Sequence, residues 1–281
     1  MKINKLCALV ALVAAAAAHA ETATVEAVQY PAWLDRGGAS VPLVPGTRLQ
    51  PRDQLRTGEN GRVRMKMGEG SAVKLGERAQ LVIEVAEDKN VFRAGLAVLA
   101  GAFRFTTDAL ANRKRDVSIK AKSVTVGIRG TDLWGKSSGD RDLVCLLEGR
   151  ISVGAEGHPQ VTLDKPLDFY QKPRDAAPSV ASVDPKQLET WAAETEMSPD
   201  GAAATSQGRW RVVAAVKSTR NAALAIRARL RAAGYPAEIS QKDKYFAVQV
   251  TRLAGEKEAR ALMSAIRGIE GVDLPTVHEG P

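Results

Sequence analysis

Residues 209–277 read RWRVVAAVKSTRNAALAIRARLRAAGYPAEISQKDKYFAVQVTRLAGEKEARALMSAIRGIEGVDLPTV. Trp210–Val216 and Tyr245–Val250 are short, mostly apolar runs that read as strands, in which successive side chains fall on opposite faces. Between them the period lengthens. Ala222, Ala223, Ile226, Leu230 and Ala233 recur at three- and four-residue spacing, with Ser218 or Thr219 as a cap and Gly234 as a stop. A strand is predicted near 237–240, and Ala259, Leu262, Met263 and Ile266 form a second helical stripe before Val272–Val277 closes the sheet. The order strand, helix, strand, strand, helix, strand predicts a ferredoxin-like α+β module over 209–277, followed by a short tail, 278–281.

The charge of the chain concentrates in this module. Residues 209–281 hold 13 Lys+Arg against 7 Asp+Glu, a net of +6, whereas 21–208 hold 25 of each. So uneven a placement predicts an anionic partner at the C-terminal end. Nucleic acid is the first candidate for a basic module of this kind. The N-terminus argues against it, because Lys2 and Lys5 precede an apolar run from Leu6 to Ala18, and Ala18-His19-Ala20 has the small-x-small pattern of a cleavage site. Residues 1–20 are therefore expected to be a signal peptide cut after Ala20, which makes the mature protein exported and periplasmic. Neither that run nor any later segment reaches the roughly 20 apolar residues of a membrane span. Asn4-Lys5-Leu6 before Cys7 does not make a lipobox.

Removal of the signal leaves Cys145 as the one cysteine, so no intramolecular disulfide is expected. Its neighbours Leu143, Val144, Leu146 and Leu147 are those of a buried strand. His158 and His278 stand apart, and the sequence clusters no set of metal ligands, so neither a metal nor another cofactor is expected.

From 21 to 154 the segments are short, alternate in polarity and are punctuated by glycine, which predicts an all-β domain. Arg62–Met67 is the clearest strand, entered through Asn60-Gly61, whose pairing suits a tight hairpin turn. Ala72–Leu75 and Gln80–Val85 follow as strands. VLAGAFRF (98–105) echoes LLEGRISV (146–153), and such units could stack as a sandwich or a short solenoid. The stretch 155–208, rich in Ala, Pro, Ser and Asp, reads as a mobile connection. Within it, Asp184, Pro185 and the spacing of Leu188, Trp191, Ala192 and Thr195 predict one short helix near 185–197, with Trp191 packed back on the β domain.

The motifs Pro45-Gly46-Thr47-Arg48-Leu49, Asp53-Gln54-Leu55-Arg56-Thr57-Gly58, Asn60-Gly61, Gly70-Ser71, Gly127-Ile128-Arg129-Gly130-Thr131-Asp132 and Leu147-Glu148-Gly149 resemble, in order and register, those of a FecR domain. Arg52 stands where that family usually has glycine. The family is named for a regulator that signals through a membrane span to a cytoplasmic segment, a route not expected here; what carries over is an exported binding or assembly module. Arg129, Gly130, Thr131 and Asp132 are expected to build a structural turn, with Trp134 packed beneath it. Asp132 has no second acid or nucleophile placed to make it catalytic.

Residues 209–277 resemble a SPOR domain through Trp210, the helix end Leu230-Arg231-Ala232-Ala233-Gly234-Tyr235, the strand Tyr245–Val250 and Glu258-Ala259. The resemblance implies binding to peptidoglycan, with preference for glycan strands stripped of stem peptides. Lactyl carboxylates and hydroxyls on such strands suit arginine and aromatic partners, and the candidate ligand residues are Trp210, Arg211, Arg220, Tyr245 and Gln249. Simple alternation puts Arg211, Val213 and Ala215 with Tyr245, Ala247 and Gln249 on the open sheet face, and Val212, Ala214 and Val216 under the helices. Val213 replaces a common family glutamine; Ala215-Val216-Lys217 and Thr251-Arg252-Leu253 replace Gly-Ser-Phe and Gly-Pro-Phe. A non-enzymatic envelope protein tethered to peptidoglycan is the function these features predict. The alternative is an envelope protein-interaction scaffold whose SPOR-like module has lost its glycan site.

Overall fold

The computed structural model describes residues 22–88, 91–107 and 115–280; the expected signal segment lies outside them. The N-terminal part consists of β1 (Ala23–Gln29), β2 (Ala32–Arg36), β3 (Ala39–Pro42), β4 (Arg48–Leu49), β5 (Gln54–Thr57), β6 (Arg62–Met67), β7 (Ala72–Leu75), β8 (Gln80–Asp88), β9 (Val91–Thr106), β10 (Arg115–Ala121), β11 (Val124–Ser137) and β12 (Arg141–Ala155). After it come β13 (Val161–Leu163), β14 (Asp168–Pro173), β15 (Ser179–Ser182), α1 (Pro185–Ala193) and β16 (Ala203–Thr205). The chain ends with β17 (Trp210–Lys217), α2 (Arg220–Ala232), β18 (Glu238–Lys242), β19 (Tyr245–Leu253), α3 (Glu256–Ile266) and β20 (Thr276–Glu279).

Alternation explains β6 directly. Val63, Met65 and Met67 are buried while Arg64 and Lys66 are exposed, and each such apolar side chain contributes on the order of 2 kcal/mol of burial. Asn60-Gly61 does not make the predicted hairpin: β5 pairs with β2 and β8, whereas β6 pairs with β1 and β7. The hairpin of β6 is instead closed with β7 through Gly68–Ser71, where Met67 N–H donates to the Ser71 carbonyl at 2.8 Å.

The two echoing segments have a structural meaning. In β9 the pairing with β8 steps from Ala100 to Val98, leaving Leu99 as an extra residue; in β12 the pairing with β11 steps from Glu148 to Leu146, leaving Leu147. The glycine two residues after each leucine is left-handed, with φ 84° at Gly101 and 89° at Gly149. A Cβ there would lie 2.5 Å from Ala79 Cα or 2.0 Å from the Gly130 carbonyl oxygen. The repeated leucine-x-glycine thus writes the same β-bulge twice.

The sequence predicts a mobile connection over 155–208; the structure instead has β13 and β14 paired with β12, β15 paired with β14, and β16 paired with both β1 and β19. Leu163, Tyr170 and Val183 carry the burial that an Ala/Pro/Ser-rich composition hides. Helix α1 starts where its residues place it, with the Asp184 carboxylate accepting from Lys186 N–H at 2.9 Å and Pro185 in the first turn. Trp191 packs back on the β domain: its ring stacks on the fully buried Trp134 at 4.9 Å and 8° and meets Phe169 edge-on. Cys145 is buried in the same cluster, which pushes its thiol up to about 12.

Candidate functional site

In the C-terminal part β17 pairs with β19 and β20, and β18 with β19, all antiparallel, giving the sheet order β20–β17–β19–β18. Ala223, Ile226 and Leu230 of α2 and Ala259, Leu262 and Ile266 of α3 are buried in one core with Val212, Val248 and Val250. Residues opposite one another in a ladder share a face. The face away from the helices therefore carries, across all four strands, the row Thr276, Val213, Gln249 and Glu238. Val216, Ala247 and Ser240 form a second row, and Lys242 and Tyr245 a third.

This face differs from the predicted one at two residues. The ladder shifts between Val213 and Ala215, so Ala214 is an extra residue and the alternation inverts after it. Ala215 is buried at 6% exposure, opposite Val248, whereas Val216 is 56% exposed beside Ala247. A bulge of this kind leaves no mark in an apolar run such as Val212–Val216, in which either face satisfies the pattern.

Two candidate ligand residues, Tyr245 and Gln249, lie on the open face, with Lys244 Nζ 5.5 Å from the Tyr245 ring centroid. Arg211 lies opposite His278 and donates to the Gly280 carbonyl, which turns its guanidinium toward the end of β20. Arg220 is exposed in the first turn of α2 rather than on the sheet. Trp210 sits opposite the buried Leu253 and packs on the core.

Arg129-Gly130-Thr131-Asp132 is not a turn. These residues run within β11 and bulge against Gly149, because the chain continues to pair with Arg150 on one side and Glu148 on the other. Thr131 Oγ1 donates to the Arg150 carbonyl at 2.9 Å. Asp132 receives two bonds from Arg104, Nε to Oδ1 at 3.0 Å and Nη2 to Oδ2 at 2.6 Å, and one from Thr106 Oγ1 at 3.1 Å. Glu196, from the segment after α1, binds Arg104 at 3.4 Å and Lys74 at 2.6 Å. The carboxylate is thus spent on fixing strand to strand. Trp134 is buried two residues further along the strand.

Of the other motif residues of the N-terminal part, Asp53 and Thr57 fix its own loops, and Gly58 lies at a joint between the two halves. Asp53, 1% exposed, is held by Arg36 through Nε at 2.7 Å and Nη2 at 2.5 Å, and the same guanidinium reaches the Arg48 carbonyl. Thr57 Oγ1 donates to Gly76 and accepts from Ala79 N–H. Gly58 lies so close to Pro31 and Trp33 that a Cβ would stand 2.7 and 3.3 Å from them. Trp33 in turn crosses the joint, with Nε1 donating to the Ala232 carbonyl at the end of α2 at 3.2 Å. Helix α2 closes in a Schellman motif, Tyr235 N–H to Leu230 and Gly234 N–H to Arg231. Tyr235 meets Tyr30 edge-on at 6.4 Å, and burial raises both hydroxyls above the ordinary tyrosine range. Trp33 and Tyr30 were invisible as joint residues in the sequence because their partners lie some 200 positions away.

The family model for the FecR protein matches residues 53–152, and that for the SPOR domain matches residues 206–273. The chain joins a FecR domain to a SPOR domain. Both families are binding or regulatory modules. Two crystal structures of a candidate anti-sigma factor from Parabacteroides distasonis ATCC 8503 are similar to 69% and 81% of this chain, covering 97% and 99% of theirs, at 10% and 12% identity and a TM-score of 0.42 each. No curated protein matches the chain. Arg52, at the position where FecR domains usually carry glycine, has φ 71°, a left-handed conformation that glycine adopts without strain. Among the described residues no group of three or more His, Cys, Asp or Glu could hold a metal ion, and no helix is long and apolar enough to cross a membrane.

Proposed function

We propose that this is a periplasmic, non-enzymatic envelope protein whose SPOR domain, in a ferredoxin-like arrangement, binds peptidoglycan glycan strands while its FecR domain serves as a binding or assembly module. The observation that carries the reading is the open four-stranded face, with Gln249 at its centre and the exposed Tyr245 ring at its edge. An open face of four strands can lie along an extended saccharide, with Gln249, Ser240 and Thr276 offering hydrogen bonds and Tyr245 a stacking surface. The module's excess of arginine and lysine attracts the carboxylates of a glycan stripped of its peptides. The full chain is expected to co-sediment with isolated sacculi at low salt, and more so after amidase treatment. Absence of sedimentation under those conditions refutes the reading.

One observation favours the alternative of an envelope protein partner: Val213, Val216 and Ala247 make the middle of the face apolar where a glycan would be met by polar groups. In that case membrane extracts, rather than sacculi, would supply the ligand, and capture would be lost in the same face variants.

A further inference from the structure

A cleft of about 610 Å³ lies at the joint, between α2 and the strands β2, β3 and β5. Its walls include Trp33, Ser40 and Arg56 from the FecR domain, and Arg227, Ala228 and Arg231 from α2. The volume is that of a small-ligand site. Three arginines converge on it, and they are not equivalent. Arg56 is already neutralised: it makes two bonds to Asp35, donates to Ser40 Oγ at 3.0 Å and lies 5.1 Å over the Trp33 ring. Hydrogen bonding to Arg56 holds the Asp35 carboxyl below its ordinary range.

Arg227 and Arg231 have no such counter-charge. Their side chains have no hydrogen bond or ion pair among the described residues, and Arg227 Nε is buried without a partner. Arg229, between them, pairs with Glu270 at 3.0 Å. Arg231 in the last turn is explained by the helix dipole. Arg227, a full turn earlier, is not, and like charges four residues apart on a helix repel one another. A buried guanidinium nitrogen left unbonded adds a further cost.

We infer that this cleft is an anion site, in which Arg227 and Arg231 receive the carboxylate or phosphate group of a small ligand whose body lies against Pro42 and the joint. Arg56, fixed by Asp35 and Trp33, orients the far wall. The site lies on the helix side of the module, so it is separate from the proposed glycan face and does not depend on it.

Isothermal titration of the full chain at low ionic strength, with inorganic phosphate, N-acetylmuramate and neutral N-acetylglucosamine as probes, tests this. Phosphate or N-acetylmuramate is expected to bind, the tighter of the two marking the source of the oxyanion, and N-acetylglucosamine is not. The double variant Arg227→Gln/Arg231→Gln is expected to bind roughly tenfold more weakly or worse. Arg267→Gln, on an exposed residue outside the cleft, leaves binding unchanged. Should the double variant melt early, Ala228→Glu places a carboxylate on an exposed position of the same wall and is expected to abolish binding. Failure of both anions to bind, or equal binding by wild type and the cleft variants, overturns the inference.

Discussion

Gly234→Ala tests whether the two domains are held by the joint at Trp33. Gly234 has φ 87°, and a Cβ there would stand 2.8 Å from Pro31 Cβ and 2.7 and 2.8 Å from two carbons of the Trp33 indole. The left-handed conformation alone costs alanine about 1 kcal/mol. The clash is relieved only if Trp33 withdraws. It then loses its hydrogen bond to Ala232, worth about 1 kcal/mol, and the stacking of Arg56, worth about 0.5–1 kcal/mol. The total is about 3 kcal/mol, and it falls on the joint rather than on either core. Urea unfolding followed by tryptophan fluorescence should show an early loss of the Trp33 signal, with the remaining transition little changed. Gly268→Ala is the control, since nothing lies within 4 Å of a Cβ at that position and its φ is ordinary. A Gly234→Ala variant destabilised by less than about 1 kcal/mol, or one that loses both domains in a single shifted transition, would show that the joint is not where the domains are held.

Trp191→Ala removes a half-buried indole stacked on Trp134, for which about 2–3 kcal/mol is expected, together with faster amide exchange over 185–193 and unchanged exchange in β6. Because burial raises Cys145 from 9.0 to about 12, the unfolded chain loses this proton first; the contribution of this group is constant below pH 9 and falls between pH 9 and 12. The limiting slope is about 1.4 kcal/mol per pH unit for this group, read from urea midpoints against pH, and the raised Tyr30 adds to the loss at higher pH. In the folded chain at neutral pH the same thiol should resist Ellman's reagent until denaturant is added. Arg52→Gly relieves a left-handed arginine and is expected to leave stability unchanged or raise it by up to about 1 kcal/mol, measured by thermal unfolding.

How much of this was legible depends on the range over which each feature is specified. Arg62–Met67 wrote its own strand, and Asp184-Pro185 its own helix start, because alternation and capping are local. The bulge at Ala214 was not legible, since valine and alanine satisfy either face of a sheet. β13–β16 were hidden for a related reason: a few large residues such as Tyr170 and Leu163 anchor strands whose other positions are small or polar. Arg129–Asp132 looked like a turn because glycine and aspartate mark turns and bulges alike. Asp132 found its partner, Arg104, 28 residues away, and Trp33 found Ala232 at 199, distances that no local pattern encodes. Of the candidate ligand residues, Tyr245 and Gln249 came from a strand whose alternation is unbroken to Val250, whereas Trp210, also expected to meet the ligand, packs on the core.

The most direct test of the proposed function is the affinity of the full chain for amidase-treated sacculi, compared with that of Val216→Glu. Val216 is 56% exposed on the open face, beside Ala247, so the variant should fold and melt as the wild type does. A carboxylate placed there would meet the carboxylates of the glycan, and binding is expected to weaken by about tenfold or more at low salt. Wild-type affinity in a folded Val216→Glu chain would contradict the assignment of glycan binding to this face.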